Sequence, residues 1–134
     1  MARSITISVS SDTYLRNPLE TELGRNIISH GIDLMSETGF QCFNFKQLAT
    51  SMKSTEASVY RYFENKHMLL LYLTCWYWNW LEYKIAFATA NIESPLVKLE
   101  NTLNIITQKV TEDSNYTHIN EILLLHIVQF LVVS

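Results

Sequence analysis

The chain has 134 residues, 48% of them hydrophobic and 17% charged, which is a globular composition with ample material for a core. Its net charge of −3 gives no general support for nucleic-acid binding, so any such binding must rely on a local surface. Few glycines and prolines, two separated cysteines and an N-terminus without a signal peptide favour a cytoplasmic, helical protein that does not span a membrane.

The first part of the chain predicts a leader and a long helix. Residues 1–16 alternate Ser and Thr with Ile and Val, and we expect them to form a flexible leader. The run Asn17-Pro18-Leu19-Glu20 combines a cap, a first-turn proline and a capping-box glutamate, which predicts the start of the first helix. Gly39 is expected to end that helix as a left-handed cap.

Two short helices follow. Asn44 is a predicted cap for a second helix that ends near Met52, and residues 53–54 are expected to form a tight turn. Thr55 is a predicted cap for a third helix over residues 56–63. The second helix is expected to direct Phe45, Leu48, Ala49 and Met52 inward, and the third helix Val59 and Phe63.

The second half predicts longer helices. Asn65 is expected to cap a fourth helix that runs to about residue 90, and Ser94-Pro95 to begin a fifth that ends near residue 110. A sixth helix is predicted from near Thr117 to the end of the chain. Six helices and no convincing strand predict an all-α protein.

The tight turn between the short helices predicts a helix-turn-helix in residues 17–64. A DNA major groove admits one α-helix, and residues at the leading end of that helix reach the base edges. The small and polar side chains of the second helix, the turn and the third helix are therefore candidate DNA contacts: Asn44, Lys46, Lys53, Thr55, Glu56, Ala57, Ser58 and Tyr60.

Residues 25–71 resemble the DNA-binding domain of the tetracycline-repressor (TetR) family. The run "FKQLATSMKSTEASVYRYFENKHMLL" is similar to the core of that domain. The Tyr-x-x-Phe-x-x-Lys-x-x-Leu signature of the family keeps its spacing at Tyr60, Phe63, Lys66 and Leu69. The resemblance implies further DNA contacts by Arg61 and Lys66.

The turn departs from the family pattern. The family usually has Gly where this chain has Lys53, and a non-glycine residue adopts the left-handed conformation only at some energetic cost, so we expect a turn that is either strained or slightly different from that of the family. The next position, Ser54, is usually apolar in the family. Both changes bear on how the third helix is set against the rest of the domain.

The resemblance implies a ligand-responsive repressor that binds a pseudo-palindromic operator as a homodimer. Residues 65–134 would then form a ligand-binding and dimerisation domain for a small apolar or amphipathic effector. The candidate pocket residues are Tyr72, Trp76, Trp80, Tyr83 and Leu103. The aromatic stripe on the fourth helix is also consistent with a core and an interface. The chain ends within an apolar pattern, so we expect this domain to be incomplete, which puts dimerisation and ligand response in question.

Two other classes of function compete with this interpretation. Residues 1–70 hold equal numbers of basic and acidic side chains, which favours a helical protein-interaction module that has lost DNA binding. An enzyme is the other alternative. It is disfavoured because we find no nucleophile motif, Gly-rich phosphate loop or paired carboxylates, and we expect no cofactor or metal.

Overall fold

The computed structural model describes residues 7–107 and Ile127, and every regular element in this part of the chain is helical. The α-helices are α1 (Glu22–Thr38), α2 (Phe45–Ser51), α3 (Glu56–Tyr60), α4 (Lys66–Thr89) and α5 (Pro95–Thr107). Two single 3-10 turns, Ser11–Thr13 and Pro18–Glu20, precede α1. The all-α prediction is confirmed for these residues, whereas the sixth predicted helix lies outside them.

The first α-helix begins later than predicted, because a 3-10 turn comes before it. Asn17 caps this turn, and Thr21 then caps α1 by accepting a hydrogen bond from the Gly24 N–H at 2.9 Å. The turn lies directly on α1, since a Cβ atom at Gly24 would overlap the backbone of Pro18. Gly39 ends α1 with φ 80° and ψ 155°, a conformation that only glycine adopts easily and that differs from the left-handed helical cap we expected.

The next three helices begin at their predicted caps. The side chains of Asn44, Thr55 and Asn65 each accept a hydrogen bond from the backbone N–H three residues on, at 2.8, 3.3 and 2.9 Å. Such caps satisfy donors that have no partner inside the helix. Only the end of α3 differs, because it stops at Tyr60 and not at Phe63.

One cluster of buried side chains joins α1, α2 and α3 to the first half of α4. Its fully buried aliphatic and phenylalanine members include Ile27, Ile28, Ile32, Leu48, Val59, Phe63, Leu69 and Leu73. Five of the six predicted inward side chains are buried as expected, and the sixth, Met52, is half-buried against the same core. This core fixes the two short helices against α1 and α4, so the opposite face of α3 is held towards solvent.

Residues 7–16, which we call the strap, pack on the protein. The Asn79 side chain of α4 donates a hydrogen bond to the Ser8 carbonyl at 2.7 Å. At the other end of the strap, the Leu15 N–H donates to the Tyr62 carbonyl at 2.8 Å. This part of the predicted flexible leader is therefore bound at both ends, once to α4 and once to the segment that follows α3.

Candidate nucleic-acid interface

The turn between α2 and α3 closes with two backbone hydrogen bonds. The Lys53 N–H donates to the Thr50 carbonyl at 3.1 Å, and the Ser54 N–H donates to the Ala49 carbonyl at 2.9 Å. Together they form a Schellman motif, whose central residue must be left-handed. Lys53 has φ 55°, which is the strained one of the two expected turns, so a lysine holds a conformation that glycine adopts at less cost.

The hydroxyl groups of the turn bind one another. The Ser58 hydroxyl donates to the Thr55 carbonyl at 2.6 Å and lies 2.7 Å from the Ser54 hydroxyl. Ser58 is only 7% exposed, which corrects its predicted place on the outer face. A buried hydroxyl needs a partner, and the polar residue at position 54 supplies one where an apolar side chain would not.

The outer face of α3 combines small, charged and aromatic groups. Its exposed side chains include those of Thr55, Glu56, Ala57 and Arg61. Tyr60 is 47% exposed, and its ring packs edge-on against Phe45 of α2, with ring centroids 5.0 Å apart. Val59 is fully buried on the other side. The helix therefore presents one surface to solvent and anchors itself by the opposite one.

A shallow cleft of about 380 Å³ lies beside α3. It brings together three of the predicted contact residues, Asn44, Tyr60 and Lys66. The other residues that line the cleft were not predicted as site residues from the sequence: Gln41, Cys42, Phe43, Phe45, Asn65 and His67. Most of them belong to the segment between α1 and α2 or to the start of α4, where helical periodicity carries no information about contacts between segments.

Lys66 binds backbone groups of its own chain. Its ammonium donates to the carbonyls of Phe40, Gln41 and Phe43 at 2.9, 3.2 and 3.0 Å. It also lies 4.6 Å from the centroid of the Phe40 ring, which is a cation–π contact. Contact of Lys66 with DNA stays a prediction, but the structure gives this side chain a full set of partners within the protein.

The five candidate pocket residues do not share one environment. Tyr72, Trp76 and Trp80 are at most 2% exposed, and the two indole rings stack with centroids 6.2 Å apart. Burial, and to a smaller extent the neighbouring Tyr14, raises the pKa of the Tyr72 hydroxyl well above its ordinary value. Tyr83 and Leu103 are 37% and 51% exposed.

One buried donor in this region stands out. The indole N–H of Trp80 has no hydrogen-bond partner in the part of the chain that the structure describes. Buried donors are nearly always paired, so this group is suited to an acceptor that approaches the aromatic cluster.

Comparisons of the chain with models of protein families, with curated proteins and with solved structures found no match. Within residues 7–107 and at Ile127, no group of three or more His, Cys, Asp or Glu side chains is arranged to hold a metal ion. None of the helices in these residues is both long enough and apolar enough to cross a membrane.

Proposed function

We propose that the chain is a sequence-specific DNA-binding regulator of transcription, in which α2 and α3 form a helix-turn-helix and α3 enters the major groove. The observation that carries the proposal is the two-sided character of α3. Val59 anchors its inner side in the core, whereas Glu56, Ala57, Tyr60 and Arg61 remain accessible on its outer side. The Schellman turn joins α2 directly to α3, as in helix pairs in which the first helix braces the reading helix.

Exposed cations are distributed along this surface. Lys46 on α2, Lys53 in the turn and Arg61 after α3 are all exposed. Neutralised phosphates govern the salt dependence of binding, so six such cations in a homodimer predict a slope of log K against log salt of about −5 at most. This modest value fits a chain whose net charge is slightly negative.

The proposed regulator would act as a homodimer and respond to a small effector. A homodimer would place two copies of α3 in successive major grooves, about 34–36 Å apart, on a pseudo-palindromic operator. A small apolar or amphipathic effector would act through α4, where the Trp80 N–H, which has no partner among the described residues, supports a ligand that carries an acceptor. Repression is the mode of regulation that follows from the resemblance to the TetR family.

Selection from a pool of random duplexes tests the proposal. We expect the chain to enrich a pseudo-palindrome, and Arg61→Ala to weaken binding to it by about tenfold, a loss of roughly 1.4 kcal/mol. Lys98→Ala removes the same charge from an exposed position on α5 and is the matched control, with little expected effect. A chain that shows no preference among duplexes at low ionic strength would contradict the proposal.

A helical protein-interaction module remains the second candidate. It is favoured by the balanced charge of residues 1–70 and by exposed apolar side chains in the second half, such as Phe87 and Leu96, which are 76% and 73% exposed. Failure of the duplex selection, together with an intact fold, would favour this candidate.

A further inference from the structure

We propose that Lys66 is a positioning residue whose ammonium locks the segment between α1 and α2 (residues 39–44, here the corner) onto the start of α4. The proposal deepens the proposed function, because the corner forms one wall of the cleft beside α3. It differs from a direct phosphate contact, which is the role that the family resemblance implies for this residue.

The number of donors on Lys66 matches the number of carbonyls around it. A lysine ammonium has three N–H donors and no acceptor. At Lys66 three carbonyls, from Phe40, Gln41 and Phe43, lie within 3.2 Å of the nitrogen. With its donors engaged in this way, the ammonium has none left for a phosphate unless the corner opens.

The corner contains backbone carbonyls that need hydrogen-bond donors. Its backbone leaves α1 at Gly39 in a glycine-specific conformation, and the Phe43 N–H turns back to the Gly39 carbonyl at 3.1 Å. The three carbonyls on Lys66 belong to this reversal; the hydrogen bonds to Phe40 and Phe43 are partly buried, and that to Gln41 is exposed. Partly buried carbonyls require donors, and the Phe43 N–H supplies one to the Phe40 carbonyl, at 3.2 Å. A single ammonium from another helix adds a donor to each of the three carbonyls, so the corner relies on α4 as well as on its own backbone for its closure.

Phe43 and Lys66 lie at the starts of two helices, each next to a cap residue. Phe43 is 1% exposed and directly precedes Asn44, the cap of α2. Lys66 is the first residue of α4 and follows the cap Asn65. The lock therefore connects the segment directly before α2 with the first turn of α4. A displacement of the α4 N-terminus would reach α2 through these hydrogen bonds.

The decisive experiment compares Lys66→Met with Lys46→Met in the full chain. Lys46 is an exposed lysine on α2, so its loss should leave the urea midpoint unchanged and reduce the salt slope of DNA binding by about 0.9 per subunit. Lys66→Met should instead lower the urea midpoint by roughly 1 M, since charge-assisted hydrogen bonds are lost. It should also speed amide exchange in residues 40–45 and weaken DNA binding by about tenfold with an unchanged salt slope.

The opposite pattern would overturn the proposal. A Lys66→Met chain with a normal urea midpoint, normal exchange in the corner and a salt slope smaller by about 0.9 per subunit would make Lys66 a phosphate contact. The midpoint and exchange measurements do not involve DNA. If the unmodified chain binds no duplex, the proposed function fails while these two measurements still decide the role of Lys66.

If the Lys66 variant fails to fold, chemical rescue with an added amine still tests the lock. Lys66→Ala leaves room for propylammonium, which carries three N–H donors, whereas tetramethylammonium carries none. Propylammonium chloride should restore helicity or raise the urea midpoint of Lys66→Ala, and tetramethylammonium chloride at equal ionic strength should not. Equal effects of the two salts would count against a lock that is made of hydrogen bonds.

Discussion

At the scale of single residues, the backbone at Lys53 shows a local conflict between sequence and structure. A residue with a Cβ atom pays about 1–2 kcal/mol in the left-handed region, and Lys53 has φ 55°. The other non-glycine residue with positive φ in the described part of the chain is Asn91, at 61°, and asparagine tolerates this region better than lysine does. The turn that orients α3 is thus held partly by the packing around it.

Replacing Lys53 with glycine should stabilise the protein. We expect Lys53→Gly to raise the free energy of unfolding by about 1 kcal/mol, because glycine adopts positive φ without strain. Urea denaturation followed by circular dichroism measures the change. Lys46→Gly is the matched control: Lys46 has a right-handed helical conformation in α2, so the same replacement should destabilise by about 0.5–1 kcal/mol. Destabilisation by both variants would contradict the strain at Lys53.

The buried hydroxyl of Tyr72 predicts a loss of stability in alkali. Its pKa is raised above the ordinary 10.0 in the folded state, so above about pH 10 the unfolded chain releases this proton while the folded chain keeps it. The free energy of unfolding should then fall by up to about 1.4 kcal/mol per pH unit on account of this group. Urea titrations from about pH 9 to 11 should show a shallower decline for Tyr72→Phe than for the unmodified chain. Equal declines would contradict the assignment.

At the scale of helices, start signals were predictable and the geometry between segments was not. Asn44, Thr55 and Asn65 are local signals, since a cap acts on a backbone N–H three residues away. The sequence missed the cap at Thr21, because the stronger-looking signal at Asn17 caps a separate 3-10 turn. The α-helix is capped by Thr21 and not by Asn17 because Gly24 packs against the 3-10 turn, and this packing between segments cannot be read from a local cap signal.

The two glycines within α1 provide a test of this packing. A Cβ atom at Gly24 would overlap the Pro18 backbone, which cannot move without displacing the whole 3-10 turn. We expect Gly24→Ala to cost about 2 kcal/mol or more, as measured by urea denaturation. Gly31→Ala is the matched control: its new Cβ would meet only the Leu69 side chain at 3.4 Å, and helix propensity favours alanine by about 1 kcal/mol. Similar effects at the two positions would contradict the close contact with Pro18.

In the candidate site, too, local features were predicted from the sequence and contacts between segments were not. The outer face of α3 followed from helical periodicity and from its cap, and Glu56, Ala57, Tyr60 and Arg61 are exposed accordingly. Ser58 did not follow, because the hydroxyl network of the turn draws it inward. The contacts of Lys66 did not follow either, since they join backbone groups 23 to 26 residues away and carry no side-chain pattern.

At the scale of the whole molecule, the strap links two parts of the fold that the sequence treated as separate domains. It touches α4 through Asn79 and the post-α3 segment through Tyr62. Arg16, which directly follows the post-α3 contact, lies 5.4 Å from the centroid of the Tyr62 ring. Residues 17–64 and α4 are therefore joined by the strap as well as by the common core.

A core substitution in the strap should weaken this link. Ile7 is 5% exposed and belongs to the common core, so Ile7→Ala should cost about 2 kcal/mol and speed amide exchange at Leu15. Leu15→Ala is the matched control, because its side chain is 64% exposed and little stability should be lost. Urea denaturation and hydrogen exchange measure both effects. Equal stability of the two variants would show that the strap is not held by Ile7.

The arrangement of the indoles on α4 has a spectroscopic consequence. All three tryptophans of the chain lie inside α4, in the five-residue stretch 76–80. Their environments differ: Trp76 and Trp80 are buried and stacked, whereas Trp78 is 48% exposed. Intrinsic fluorescence excited at the indole band therefore reports on this one helix. Acrylamide should quench Trp78 first and leave a blue-shifted emission from the stacked pair. Any event that tilts or unwinds the middle of α4 then becomes visible as a red shift, without an introduced label.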